Sequence, residues 1–453
     1  MLMGTLAAVT VMLLSFRRHV DDDLWLHLRL GGEIRAGERF GGTDPLTVLA
    51  DRAYVPTQWL TEVMASATYE LSGLYGIHLV RLLAVVAVAT LTYASIRTIT
   101  DPPRAAAITL PTLFATSAAW AERPQLIGLA MHALVVLLWM RAWRSGRTPW
   151  LVVPTMWLWA CLHGTWALGL VTGAVFAIAL ALDSPARRSW RRDLAVLALS
   201  IAAVGATPLG PVLLIQPLTV SGAARASVSE WQTPGFDNPT FLAVLAMAAL
   251  AATHLARQRA RSWLAMALVA LGVALAIYSV RTVAFGAVLA GAGLALSGVG
   301  GRQALAVRRR TEVSLWLTAC LAVVVGGSLL AMPTPELTDA GLREQLKDLP
   351  GGSHIAVQPE VTGWVLFHEP ALRPLRDLRA EAYSPTATQT FEHVWQAQPG
   401  WEGTLESLDV HAVLVRSGEA LADALSSSSW SLATTGDDYQ LWISTKDIGT
   451  GTT

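Results

Sequence analysis

Three consecutive carboxylates open the most polar stretch of the chain, Asp21-Asp22-Asp23-Leu24-Trp25-Leu26-His27-Leu28-Arg29. Like charges in a row beside apolar sequence repel one another unless they bind something. Two tasks suit them: taking the proton of a hydroxyl nucleophile, or holding a divalent cation. Four polar insertions follow in otherwise apolar sequence: Glu122-Arg123-Pro124-Gln125, the turn at His163-Gly164, Ser229-Glu230-Trp231-Gln232, and Arg281. A charge at the centre of a membrane helix costs about 2.5–3.5 kcal/mol on insertion scales, so such residues need partners or water. Guanidinium groups pair with phosphate oxygens through two parallel hydrogen bonds. A carboxylate cluster facing Arg123, His163 and Arg281 would therefore suit a phosphate-bearing lipid. Each residue alone has a plainer reading. A single Arg at a membrane end is an interfacial anchor, His163 a hydrogen-bond partner between helices, and the acidic run an N-terminal cap that complements a helix dipole.

The elements that must carry these groups are membrane helices. The 453 residues are 53% hydrophobic and only 15% charged, well below the charge of a water-soluble chain. About eleven spans are expected, over 1–16, 77–97, 105–120, 125–143, 149–162, 165–182, 194–206, 240–256, 263–280, 282–299 and 313–332. The first reads as a retained helix rather than a cleaved signal. The pairs 149–162/165–182 and 263–280/282–299 admit a second reading, each as one kinked helix. With the N-terminus inside, alternate connections hold Arg97 and Arg104; Arg141, Arg144 and Arg147; Arg187, Arg188, Arg191 and Arg192; Arg257, Arg259 and Arg261; and Arg302 and Arg308 to Arg310. The short connections opposite offer only Arg123, Arg225 and Arg281. That asymmetry is the positive-inside pattern, and it places all the polar insertions on the non-cytoplasmic face. The long first outer loop, about 17–76, is rich in Arg and stands outside the pattern, as long loops do.

Residues 333–453 differ in kind. Short apolar strings at His354–Val357 and His411–Val415 alternate with helix-like stretches near 386–398 and 418–425, which predicts a small extracytoplasmic α/β domain. The expected organisation is a transmembrane domain over 1–332 and this domain over 333–453. Equal counts of 33 basic and 33 acidic residues leave no basic footprint for nucleic acid. Two cysteines, Cys161 and Cys320, exclude a disulfide framework. There is no P-loop, G-x-G-x-x-G, H-E-x-x-H or G-x-S-x-G, so ATPase, dehydrogenase and common hydrolase chemistry has no support. His132 and His254 read as packing residues.

In order and spacing, the motifs resemble a bacterial family of GT-C-like multispan membrane proteins, which are similar to polyprenyl-phosphate-sugar-dependent glycosyltransferases. The family's opening, D-P-D-L-W-W-H-L-R-x-G, is matched at Asp21, Asp23, Leu24, Trp25, His27, Leu28, Arg29 and Gly31, with Asp22 for its proline and Leu26 for its second tryptophan. Thr43-Asp44-Pro45 follows, then Trp59-Leu60-Thr61-Glu62, with Gln58 where an acid is usual. The likeness continues through Arg123-Pro124-Gln125, His163-Gly164, the turn Thr207-Pro208-Leu209-Gly210, Glu230-Trp231-Gln232 and Arg281. In the tail, Gly363-Trp364 and the D-x-R-x-E-x-Y element at Asp377, Arg379, Glu381 and Tyr383 match as well.

The resemblance implies a multi-pass protein of the bacterial inner (plasma) membrane, with its active site and C-terminal domain extracytoplasmic. It implies inverting transfer of a sugar from a polyprenyl-phosphate donor to a glycan or lipid acceptor of the envelope. Asp21 or Asp23 would be the general base. Arg123, Arg281 and His163 would stabilise the charge of the leaving phosphate, and His27, Arg29, Gln125, Glu230 and Trp231 would bind substrate. No nucleotide cofactor is required, and Asp21 with Asp23 could hold a divalent cation. The alternatives are a transporter or flippase-like protein, or a non-catalytic scaffold of envelope polysaccharide assembly. A transporter should show an internal repeat and broken helices at the bilayer midplane. No repeat is visible, and the polar residues gather at one face.

Overall fold

Extended backbone punctuates the apolar helices at a few polar turns, among them those of Arg123, His163 and Ser279. The computed structural model describes residues 21–37, 46–183, 190–217, 219, 229–257, 262–298, 340–436 and 438–445. Each span expected within these residues is helical. The helices are α2 (Trp59–Ile96), α3 (Pro102–Thr116), α4 (Pro124–Ser145), α5 (Val152–Leu162), α6 (Trp166–Asp183), α7 (Trp190–Gly205), α8 (Pro239–Arg257), α9 (Trp263–Tyr278) and α10 (Val283–Ser297), after a shorter α1 (Asp23–Ala36). Among the described residues, α2, α4, α6, α8 and the segment Val280–Ser297 are long and apolar enough to cross a membrane. Helices α5 and α9 are apolar but shorter. The expected spans 1–16 and 313–332 lie outside the described residues.

Both helix pairs that admitted a kinked reading are interrupted. His163 (φ −164°, ψ 143°) separates α5 from α6, and Ser279 (φ −164°, ψ 156°) separates α9 from the 3₁₀ turn Val280–Thr282. Helix α2 begins inside the expected outer loop and is broken once, at Gly73, whose φ of 59° and ψ of −151° no other residue adopts readily.

The chain divides into two compact units. The first comprises Thr57–Thr61 and the described part of Thr68–Met332; the second comprises the described parts of His19–Pro56 and Pro333–Thr453, with Glu62–Ala67. In the first unit, Trp120, Trp139, Trp159, Phe176 and Phe285 are fully buried among aliphatic side chains. Lipid tails are as apolar as leucine, so close packing rather than transfer from water holds such a bundle together. His132, buried in it, lies 3.0 Å from Thr172 Oγ1, a packing role as expected.

The second unit is the α/β layer that the alternating tail suggested. It contains β1 (His354–Val357), β2 (Arg373–Pro374), β3 (Val410–Arg416), β4 (Ser431–Thr435) and β5 (Tyr439–Ile443) in the order β2-β1-β3-β5-β4. Strand β1 is parallel to β2 and β3, while β5 is antiparallel to β3 and β4. Helices α11 (Ala340–Lys347), α12 (Pro359–His368), α13 (Pro385–Trp395), α14 (Trp401–Ser407) and α15 (Ala420–Ser426) complete it.

Two segments from the first loop are built into this unit. The amides of Val48 and Leu49 donate to Pro374 O and Leu375 O, each at 3.0 Å, so the loop continues the β2 edge. Helix α1 packs directly on α12. A Cβ at Gly363 would stand 3.0 Å from Leu26 N and 3.1 Å from Asp22 O, which is why the Gly-Trp element begins with glycine. Trp25 in turn meets Phe367 and His368 at ring-centroid distances of 5.4 and 4.7 Å.

Candidate functional site

In the first unit, three turns far apart in sequence meet. Pro124 is the first residue of α4, and a residue before proline is driven to extended backbone; Arg123 accordingly has φ −113° and ψ 150° and caps the helix. Its Nη1 lies 2.6 Å from Glu230 Oε1. Glu230 stands in the 3₁₀ turn Ser229–Trp231, and its other carboxylate oxygen lies 3.7 Å from Arg281 Nη1. One carboxylate therefore spans two guanidinium groups.

The frame around it is hydrogen-bonded. Gln125 Nε2 donates to Arg281 O at 2.9 Å, and the Val280 amide donates to Gln232 O at 3.0 Å. The Arg281 guanidinium stands over the Trp231 ring, 5.7 Å from its centroid. The structure thus brings together Arg123, Gln125, Glu230, Trp231 and Arg281. The ion pairs remain reachable by water, with side-chain exposures of 21% for Arg123, 25% for Arg281 and 37% for Glu230.

His163 sits against the same helix. A Cβ at Gly128 of α4 would come 3.1 Å from His163 Nδ1. The Thr165 amide donates to that nitrogen at 3.1 Å, and Thr165 Oγ1 lies 2.8 Å from it. Accepting an N–H fixes Nδ1 as the acceptor, so the proton of the neutral ring is on Nε2. The turn is held from a second side, where Thr61 Oγ1 donates to Leu162 O at 2.7 Å.

A further cluster escaped sequence reasoning. Arg81 Nε donates to Trp120 O at 2.7 Å and lies 3.3 Å from Glu122 Oε1, with His78 Nδ1 3.8 Å from the same oxygen. All three side chains are buried. They pin the 120–123 turn to α2 and so set where Arg123 emerges. The available signal was an i, i+3 pair of polar residues in an apolar run, which puts His78 and Arg81 on one helix face.

The other expected site residues lie in the second unit. Asp23 is the first residue of α1, and Asp21 Oδ1 accepts from the Asp23 amide at 3.2 Å. Acidic side chains at that end complement the helix dipole, as the plainer reading required. His27 Nδ1 is 3.0 Å from Oε1 of the wholly buried Glu62, joining the opening motif to the W-L-x-E motif. Arg29 pairs with Glu33 one turn later, at 2.5 Å. Among the described residues no group of three or more His, Cys, Asp or Glu side chains is placed to hold a metal ion. Asp21 and Asp23 alone do not make a coordination shell.

The tail motif forms a closed knot. Asp377 Oδ1 accepts from the Arg379 amide at 2.9 Å, and Oδ2 accepts from Arg379 Nε at 2.8 Å and from Nη2. Tyr383 Oη accepts from the Asp377 amide at 2.9 Å and shares a hydrogen bond of 2.9 Å with Thr47 Oγ1. Arg379 covers the Tyr54 ring at 4.6 Å. Burial, reinforced by Asp377, drives the Tyr383 phenol far above its ordinary value. Burial does the same to Tyr54, reinforced by Glu62 and Glu381.

No family model matches the chain, and no curated protein does. Solved structures do. ArnT from Cupriavidus metallidurans in the apo state matches with TM-score 0.58 and 13% identity, over 97% of this chain and 97% of that one. The same protein bound to undecaprenyl phosphate gives 0.54 and 13% over the same shares. The archaeal oligosaccharyltransferase AglB from Archaeoglobus fulgidus, in complex with an inhibitory peptide and a dolichol-phosphate, gives 0.56 and 11% over 91% of this chain and 69% of that one. At such identities the likeness establishes the fold. The chain is a multi-pass membrane protein with the GT-C-like fold that its motif order implied.

Proposed function

We propose that the protein is a membrane glycosyltransferase that moves a sugar from a polyprenyl-phosphate donor to a glycan or lipid acceptor of the cell envelope. The supporting observation is the pair of guanidinium groups, Arg123 and Arg281, held by one frame at polar turns between apolar helices. A lipid-borne phosphate at such a turn keeps its chain among the helices and its charge on the arginines. Two structures of the same fold carry lipid phosphates of this chemical class.

In this reading Arg123 and Arg281 hold the phosphate, Gln125 fixes the Arg281 turn, and Trp231 backs its guanidinium. The acceptor hydroxyl attacks the anomeric carbon, the bond from that carbon to the phosphate oxygen breaks, and configuration inverts. The electron pair leaves with polyprenyl phosphate, and the hydroxyl proton passes to Asp21 or Asp23. His163, with its ring proton on Nε2, and the two arginines stabilise the growing negative charge with donors already fixed in place. His27 and Arg29 serve substrate through the first loop. In this reading the chemistry lies on the non-cytoplasmic face of the bacterial inner membrane, with 333–453 a domain on that side; the distribution of basic residues supports that sidedness.

The test is transfer from a polyprenyl-phosphate-linked sugar by the purified chain in vesicles. Removing a general base lowers rates by about 10²–10⁴-fold, so Asp21→Asn or Asp23→Asn should do so with thermal unfolding unchanged. Wild-type rates in both variants would eliminate the base in the first loop.

A further inference from the structure

The carboxylate of Glu230 already holds the two groups that the proposed reading gives to the lipid phosphate. One oxygen lies 2.6 Å from Arg123 Nη1 and the other 3.7 Å from Arg281 Nη1. A phosphate that reached both guanidinium groups would meet those oxygens, and two anions at hydrogen-bond distance oppose each other. We propose that Glu230 is an internal competitor for the phosphate: a displaceable carboxylate that occupies the Arg123–Arg281 seat between turnovers and helps expel the product. This inference rests on the glycosyl-transfer reading and concerns how that site is emptied.

Three observations carry it. The first is geometry, since Glu230 uses both of its oxygens, one for each arginine, as a bridging phosphate would. The second is access. Its side chain is 37% exposed, whereas the Asp377–Arg379 pair shows 0% and 5% and is closed to exchange. The third is anchorage. The turn stays in place without the carboxylate, because the Val280 amide holds Gln232 O and Trp231 backs Arg281. Glu230 can therefore let go without dismantling the frame.

Charge gives the exchange its direction. The donor is a phosphodiester with one negative charge, which competes with a carboxylate on nearly equal terms. Transfer converts it into a monoester, which carries about −1.5 to −2 at pH 7 because its second pKa is near 6. The product therefore binds the two arginines more tightly than the donor did. A carboxylate waiting for the same N–H groups offsets that excess and shortens the product's stay.

The experiment compares undecaprenyl monophosphate binding to the full chain in nanodiscs for wild type, Glu230→Gln, Glu230→Asp and the double variant Arg123→Ala/Arg281→Ala. Glu230→Gln should bind roughly fivefold or more tightly than wild type, the span of an ordinary coupling between two ligands of one site. Glu230→Asp, too short to span both arginines, should fall between, and it stands in should the Gln variant fail to fold. Equal or weaker binding by both Glu230 variants, with binding lost in the double variant, would overturn the competitor and leave the phosphate seat standing. Equal binding by all four proteins would overturn the seat itself. Tighter binding by the Glu230 variants, with loss in the double variant, supports both.

Discussion

Two clusters, each pairing a carboxylate with guanidinium, stand as opposites. In the Asp377–Arg379 knot the charges are met from within: by the backbone of the same turn, the guanidinium fork, the Tyr54 ring, and Tyr383 with Thr47. In the Arg123–Glu230–Arg281 cluster the charges lie on three separate turns, stay open to water, and share one carboxylate. A motif made of Asp, Arg and Tyr is therefore not by itself a sign of chemistry. The distinction lies in exposure and in whether a ligand's atoms could replace a partner. The buried knot joins the first-loop segment to the C-terminal α/β layer.

Breaking each cluster should expose that contrast, and the largest effect on stability belongs to the knot. Removing one member of a buried ion pair leaves its partner's charge uncompensated, which costs about 3–5 kcal/mol. Arg379→Ala should therefore lower the thermal unfolding midpoint of the full chain strongly and open residues 340–445 to proteolysis. A shift no larger than that of a surface substitution would show that the knot is not structural.

Next in size is Tyr383→Phe, which strands the Asp377 amide and removes the bond to Thr47; loss of a buried partner costs about 1–3 kcal/mol. Its pH signature has a defined sign. Burial raises the Tyr383 and Tyr54 phenols, so their contribution is complete below the ordinary value near 10 and is lost as pH rises above it. The wild type should lose stability above about pH 10 more steeply than Tyr383→Phe. Parallel curves would remove Tyr383 as a source of that dependence.

Much of the molecule was legible in the sequence. Apolar runs such as 125–143 and 240–256 become α4 and α8 because length and hydropathy suffice to specify a membrane helix. The breaks at His163 and Ser279 were less clear, since an extended residue between two apolar runs leaves no periodicity to read. The string His354–Val357 is β1, and the tail's alternation gave the α/β layer. Arg123, Gln125, Glu230, Trp231 and Arg281 stood out as candidates because polar residues interrupt apolar sequence there. What local pattern could not supply was partnership. That Glu230 bridges both arginines, that His27 finds Glu62, and that Gly363 admits α1 are contacts across distant segments. Arg81 and His78 were hidden for the same reason, since their carboxylate, Glu122, is on another helix end.

In the proposed reading Arg123 and Arg281 together grip the phosphate of a polyprenyl lipid. Both are partly exposed, and such pairs contribute at most about 1 kcal/mol, so replacing them should scarcely move the unfolding midpoint. Phosphorus NMR of undecaprenyl phosphate in nanodiscs holding the full chain reads the contact itself. The wild type should shift and broaden the phosphate signal, and Arg123→Ala/Arg281→Ala, folded to the same midpoint, should return it to that of the free lipid. An equal perturbation by both proteins would contradict the account.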